Sequence, residues 1–251
     1  VVLKPSEDTP STSALLCEIV TKCLDQSCYV CINGGVLETT ALLAEKWSKI
    51  FFTGSYRVGK IIAAKAAQSL TPVTLELGGL NPAIVTSSAD PDLAARRLIF
   101  GKLLNAGQVC LSHNYTLLHR QLASKFIQSL KEALEELYPE GAKISRDFGR
   151  IVNMRNITRI KNMLDQSTGT ILVGGNIDEE CLFVEPTVVL VESLDDSLIT
   201  DESFGPLMPI LLVDSTQEAI SIANMVDSSP LALSVFGNSE DVSQGILRYL
   251  R

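Results

Sequence analysis

The chain has 251 residues, 46% of them hydrophobic, and a formal charge of −8, enough apolar material for one large domain or two smaller ones. Its 21 Lys and Arg against 29 Asp and Glu argue against a nucleic-acid or anionic-membrane surface, both of which need clustered positive charge. No apolar run reaches the roughly 18 residues needed to span a bilayer, and the opening VVLKP has no basic-then-apolar leader pattern, so a small-molecule partner is expected.

Taken in order, the first third alternates short apolar runs with helix-period segments. VVLK (1–4) reads as a strand, TSALLCEIVTKCL (12–24) as a helix and YVCIN (29–33) as a strand. TTALLAEKW (39–47) follows as a helix, KIFFTG (49–54) as a strand, VGKIIAAKAAQSL (58–70) as a helix and PVTLEL (72–77) as a strand. That rhythm predicts an α/β fold, a parallel sheet with helices on its faces. A domain boundary is expected at Gly78-Gly79, giving one unit over 1–77 and a second over 78–251.

Beyond it a helix is predicted over 91–104 and a strand over YTLLH (115–119). Leu122, Phe126, Leu130, Leu134 and Leu137 recur at helical spacing and should share one buried face. TILVGG (170–175), FVEPTVVLV (183–191) and LMPILLV (207–213) read as strands, and Ser215 with Glu218 forms a capping-box start for a further helix. The chain stops on EDVSQGILRYLR (240–251), a helix-like stretch without a stop signal, and it begins without Met, so it is expected to be part of something longer.

The six cysteines sit mostly in apolar stretches, which suits reduced thiols better than a disulfide framework. Cys28 and Cys31 form a C-x-x-C, but three residues apart on a strand they face opposite sides, so they are read as core packing. There is no second C-x-x-C, and a zinc site is not expected.

Five stretches have the residue types that chemistry needs. FTGSYRVG (52–59) stands between a strand and a helix. Gly54, Ser55 and Gly59 there permit close backbone approach to a phosphate at the helix amino end, or make an ordinary turn with Ser55 as the cap. Lys4 and Glu7 close the first strand at the carboxyl edge of a parallel sheet, where such sheets bind ligands. An exposed charge pair is the plainer reading.

Cys110 follows NAGQV, a small, polar stretch, instead of lying in a strand, and a thiolate there would be a nucleophile. Its two histidine neighbours, His113 and His119, lie just downstream, whereas a cysteine hydrolase draws its His from a distant segment. Glu76, a single acid inside TPVTLELGGLNPAIV (71–85), is expected to be buried, with a raised pKa suited to a general base meeting Cys110 across a cleft. A structural acid held by backbone N–H groups is the alternative. Glu202 in ITDESFGPLMPI precedes a Phe-Gly-Pro turn, which by itself decides nothing.

In combination, KPSE (4–7), FTGSYRVG (52–59), LELGG (75–79), NAGQVC (105–110), EPTVV (185–189) and ESFGP (202–206) resemble, in order, the NAD(P)-dependent aldehyde dehydrogenase superfamily. GGVLETTALL, RRLIFGKLLNAGQVC and SRDFGRIVN are most similar to its class 3 branch, which includes the fatty aldehyde dehydrogenases. The resemblance implies a partial Rossmann-like cofactor sheet over 1–77, a catalytic domain over 78–251, and oxidation of a medium- or long-chain aliphatic or aromatic aldehyde.

On that resemblance Cys110 is the nucleophile and its N–H part of an oxyanion hole, while Glu76 activates the deacylating water. Lys4 and Glu7 hold the adenosine ribose of NAD or NADP, and Ser55 its pyrophosphate between Gly54 and Gly59. Glu202 holds the nicotinamide ribose with Phe204 beside it. A homodimer is implied for the full-length parent, in the cytoplasm or on a membrane facing the cytosol through a segment outside this chain. Leu80, Ser203 and CLSHNY (110–115) depart from the family pattern. The family's second oxyanion donor, an Asn, lies upstream of KPSE, and its Pro-Phe-Gly-Gly stretch lies downstream, so this chain alone is expected to be weakly active or inactive. A non-catalytic remnant acting through cofactor or subunit binding is the alternative, and a CoA-acylating relative is disfavoured by Glu76.

Overall fold

The computed structural model describes residues 1–227 and 229–239. The helix expected over EDVSQGILRYLR lies outside the described residues. The chain forms two compact units, Val1–Leu77 and Gly78–Arg251.

In the first unit, β1 (Val2–Leu3) leads to α1 (Pro10–Cys23), which returns to β2 (Val30–Cys31), parallel to β1. α2 (Val36–Ala44) then precedes β3 (Ile50–Gly54), α3 (Tyr56–Ala67) and β4 (Val73–Leu77), and β3 and β4 pair in parallel. These are the βαβ units that the hydrophobic rhythm predicts. α2 starts three residues before the expected Thr39, because Glu38 reaches back to accept a hydrogen bond from the Gly35 N–H at 2.7 Å and caps an earlier turn. α3 opens on Ser55, whose Oγ accepts from Val58 N.

The thiol expectation needs correction. Cys17 on α1 and Cys31 on β2 are joined as a disulfide, since the return of α1 onto β2 brings their Cα atoms to 5.0 Å, inside the range a bridge requires. Cys28 is exposed, not packed in a core, because it lies in the turn before β2.

The second unit is organised by a six-stranded sheet. Its strands are β5 (Pro82–Val85), β6 (Tyr115–His119), β7 (Thr170–Val173), β10 (Thr187–Leu190), β11 (Leu207–Val213) and β12 (Ser234–Phe236), in the order β12-β5-β6-β11-β10-β7. All neighbours are parallel except β10 and β7. The expected strand over 183–191 divides at Pro186, and its first part, β9 (Phe183–Val184), pairs antiparallel with β8 (Ile177–Asp178).

Helices α4 (Pro91–Leu103), α5 (Ala123–Leu137), α6 (Met154–Gln166), α7 (Ser197–Thr200) and α8 (Thr216–Val226) accompany the sheet. α4 has Pro91 at its first turn, with Asp90 Oδ1 accepting from Asp92 N and Leu93 N. α5 buries Phe126 and Leu130 as expected, whereas Leu137 in its last turn is exposed. Ser215 caps α8 by accepting from Glu218 N, but the Glu218 carboxylate accepts from Asp214 N, so the capping box is displaced by one residue. Leu117, Leu118, Val188, Val189 and Ile210 are wholly buried at the centre of one continuous core. α6, with Ile157 and Ile160 at the spacing of a helical face, is an element that sequence reading did not single out.

Candidate functional site

In the first unit the candidates stand at the carboxyl ends of parallel strands. Lys4 follows β1, and its Nζ donates to Pro5 O at 2.7 Å, Gly34 O at 2.8 Å and Glu7 Oε2 at 3.2 Å. Its three N–H donors are thus engaged in tying the loop after β1 to the loop after β2. Glu7, Asn33, Gly34 and Gly35 line a cavity of about 310 Å³ together with Pro5, Ser6, Pro10 and Ser13.

Gly54 ends β3 and Ser55 caps α3, with the helix amino end at the same strand terminus. Gly59 packs against Leu77, whose side-chain end a Cβ there would displace. Glu76 is exposed on β4. The expectation of a buried acid is therefore not met. β4 has one strand partner, β3, among the described residues.

In the second unit, four loops lead into the amino ends of four adjacent parallel strands: residue 81 before β5, residues 105–114 before β6, residues 202–206 before β11 and residues 231–232 before β12. The loop before β6 carries Cys110, a half-buried free thiol. Asn105 and Ala106 have φ of 50° and 54°, and Gly107 has φ of 78°, so three successive residues hold the left-handed conformation. A Cβ on Gly107 would collide with the backbone of Gly205. The NAGQV and Phe-Gly-Pro stretches are therefore packed backbone to backbone.

Gln108 clamps this loop from one side. Its Nε2 donates to Asn105 O at 3.0 Å and Arg150 O at 2.9 Å, and its Oε1 accepts from Val152 N at 2.9 Å. Asn81, 1% exposed, holds the other side, donating from Nδ2 to Cys110 O at 2.8 Å and Ser112 O at 2.9 Å.

Glu202 lies over Gly78, where a Cβ would overlap the carboxylate. This gives the first glycine of the pair a steric reason beyond backbone freedom. Burial raises the Glu202 pKa, opposed by the charges of Lys102 and Arg159 and by a hydrogen bond from the Gly79 backbone. Arg159 on α6 donates to Glu202 O at 2.9 Å and Ser203 O at 2.6 Å, fixing the loop before β11. Phe204 follows with φ of 44° and its ring partly exposed.

Lys102 on α4 is fully enclosed and donates to His113 O at 2.9 Å. Burial pushes its ammonium down to about 8, with the Glu202 charge opposing. Burial, reinforced by the Lys102 charge, pushes His113 down to about 3, so the imidazole is neutral near pH 7. His119 ends β6 as expected and accepts at Nδ1 from Gln121 N at 3.4 Å.

Sequence reading did not find Asn81, Lys102 or Arg159. Lys102 had a signal: it follows Leu98 by four residues on the apolar face of α4. Asn81 had a weaker one, a lone amide at the head of an otherwise apolar strand.

Comparison with known proteins gives a consistent placement. A model of the aldehyde dehydrogenase family matches residues 1–251. The chain is 54% identical over 243 residues to a beta-apo-4'-carotenal oxygenase from Neurospora crassa, an alignment covering 97% of this chain and 46% of that protein. It is 42% identical over 242 residues to the dimeric NADP-preferring aldehyde dehydrogenase of Rattus norvegicus, covering 96% and 53%. The solved structure of Staphylococcus aureus AldH in a substrate-bound state superimposes with a TM-score of 0.95 at 35% identity, over 100% of this chain and 54% of that one. The chain spans about half the length of the curated relatives it matches. Every residue falls under the family model, and the α/β fold of its members is reproduced here, so this chain belongs to the aldehyde dehydrogenase family.

Proposed function

We propose that the chain serves the NAD- or NADP-dependent oxidation of an aldehyde to its carboxylic acid, with Cys110 as nucleophile. The observation that carries this reading is the Cys110 turn itself: a half-buried free thiol on a loop clamped by Gln108 and Asn81 and packed on the Phe-Gly-Pro stretch. Such rigidity suits a group that must meet a carbonyl carbon in one geometry.

The thiol proton passes to solvent as Cys110 Sγ adds to the carbonyl carbon, giving a thiohemiacetal anion whose oxygen the Cys110 N–H would help to stabilise. When bound, the nicotinamide cofactor supplies the hydride acceptor that converts this adduct into a thioester. Glu76, exposed on β4, is assigned the activation of water for release of the acid and the free thiol.

The residues present fit such a cofactor. The cavity lined by Glu7, Asn33, Gly34 and Gly35 lies beside the loops after β1 and β2, so Glu7 would take the adenosine ribose, with Lys4 holding the loop. The α3 amino end, with Gly54 and Ser55, would take the pyrophosphate, and Glu202 the nicotinamide ribose with Phe204 beside it. The similarity to a carotenal oxygenase favours a long apolar aldehyde as substrate, and the NADP-preferring relative favours tolerance of either cofactor.

The test is aldehyde-dependent reduction of NAD and NADP by the full-length protein. Cys110→Ala should lower it at least about 10³-fold while cofactor affinity persists, and Glu76→Gln should slow deacylation more than acylation. Normal turnover by the Cys110→Ala protein would overturn the reading.

A further inference from the structure

Asn81 sits where the chain leaves Leu80 for β5, and every hydrogen-bonding group of its carboxamide is used. Nδ2 donates to Cys110 O at 2.8 Å and Ser112 O at 2.9 Å. Oδ1 accepts from Leu231 N at 2.8 Å and Ala232 N at 2.9 Å. Its backbone joins the same network: Asn81 N donates to Asn114 Oδ1 at 3.1 Å, and Asn81 O accepts from Asn114 N at 2.8 Å. One buried amide therefore ties the loops entering β6 and β12 to the start of β5, which lies between those strands in the sheet. A carboxamide has two donors and one oxygen with two lone pairs, and this site supplies two carbonyls and two N–H groups. Asn is the side chain that fits.

The bond to Cys110 O acts on the peptide plane that follows the thiol. Holding that plane fixes the backbone of Cys110 and so the direction in which Sγ leaves it. Gln108 secures the stretch just upstream of the cysteine, tying residues 105 and 108 to the segment at 150–152. The downstream side of the Cys110 turn is secured by Asn81.

We propose that Asn81 is a positioning residue for the Cys110 nucleophile, setting the orientation of the thiol through the carbonyls of Cys110 and Ser112. This rests on the reading of Cys110 as nucleophile and extends it to a residue that touches no reacting atom. Asn81→Asp is the sharpest variant, because it keeps the size and the acceptor for Leu231 and Ala232 but replaces the two donors with a carboxylate oxygen facing two carbonyls. Asn81→Ser is the second variant, smaller and able to donate once.

The experiment measures three things on the full-length protein: the melting temperature, the pH profile of Cys110 alkylation by iodoacetamide followed on the Cys110 peptide by mass, and kcat and KM for aldehyde oxidation. The expected result is a fall in kcat of about tenfold or more for Asn81→Asp, of the size seen when a reacting group is misplaced by a fraction of an ångström, with cofactor KM little changed and the alkylation profile displaced. Asn81→Ser should fall between it and the wild type. If Asn81→Asp does not fold, Asn81→Ser is read against the same criteria. A folded variant with the wild-type alkylation profile and kcat would overturn the proposal. Alkylation needs no turnover, so a wild type inert towards aldehydes overturns the dehydrogenase reading, whereas an unmoved alkylation profile overturns this one.

Discussion

In Val1–Leu77 the candidate residues stand at the carboxyl ends of two short parallel strand pairs, and in Gly78–Arg251 they stand at the amino ends of four adjacent strands in a six-stranded sheet. The difference extends to packing. β3 and β4 each have one strand partner among the described residues, and Phe51, Ile61 and Glu76 are exposed. β5, β6 and β11 are flanked on both sides, Leu117 and Ile210 are wholly buried, and the loops entering those strands are bonded to third segments by Asn81, Gln108 and Arg159. A side chain is held in one geometry only where its loop is anchored from more than one direction, as the loop of Cys110 is.

The largest effect on the second unit is expected at Gly107. Its φ of 78° and the overlap of an added Cβ with the Gly205 backbone mean that Gly107→Ala must part the two loops; a loss of roughly 3–4 kcal/mol is expected from urea unfolding. A loss under about 1 kcal/mol would show that the backbone contact is not required.

A pair of substitutions distinguishes the packing of the two units. Leu117→Ala, in the centre of the large sheet, should cost roughly 3 kcal/mol, whereas Phe51→Ala, on an open face, should stay within about 0.5 kcal/mol in the same denaturation series. Equal costs would mean that the first unit has a core comparable to that of the second.

Acid dependence separates the units again. His113 is held neutral by burial, with a folded pKa of about 3 against an ordinary value of 6.5. The unfolded chain binds this proton first, so the contribution of the buried neutral imidazole is fully present above pH 6.5. It is lost as pH falls from there towards 3, at up to ~1.4 kcal/mol per pH unit. His113→Asn should flatten this part of the curve, and an unaltered acid slope in that variant would exclude His113 as its source.

The smallest effect is expected at Gly78. A Cβ there displaces the end of the flexible Glu202 side chain, so Gly78→Ala should weaken NAD binding by roughly three- to tenfold while costing under about 1 kcal/mol of stability. Unchanged affinity would remove Glu202 from the cofactor site.

Much of this was legible before the structure. The alternation of apolar runs and helical periods gives the parallel strand pairs, and the positions of glycine and polar residues mark the loops that carry Cys110 and Glu202. Burial in the first unit was not legible. An acid inside an apolar strand is enclosed only where another element covers its face of the strand, and Glu76 on β4 is exposed. The Cys17–Cys31 bridge was hidden for a similar reason: a separation of 14 residues says nothing about the 5.0 Å that the return of α1 creates. Asn81 was hidden because its partners at 110–112 and 231–232 are distant in the chain, and only the strand order brings them together.

The most direct measurement is the mass of the Cys110 peptide after the full-length protein is mixed with a long-chain aldehyde and NAD or NADP and quenched in acid. The account requires an added acyl group on Cys110, larger in amount in Glu76→Gln and absent in Cys110→Ala. Aldehyde turnover with no acyl group on Cys110 in either the wild type or Glu76→Gln would contradict it.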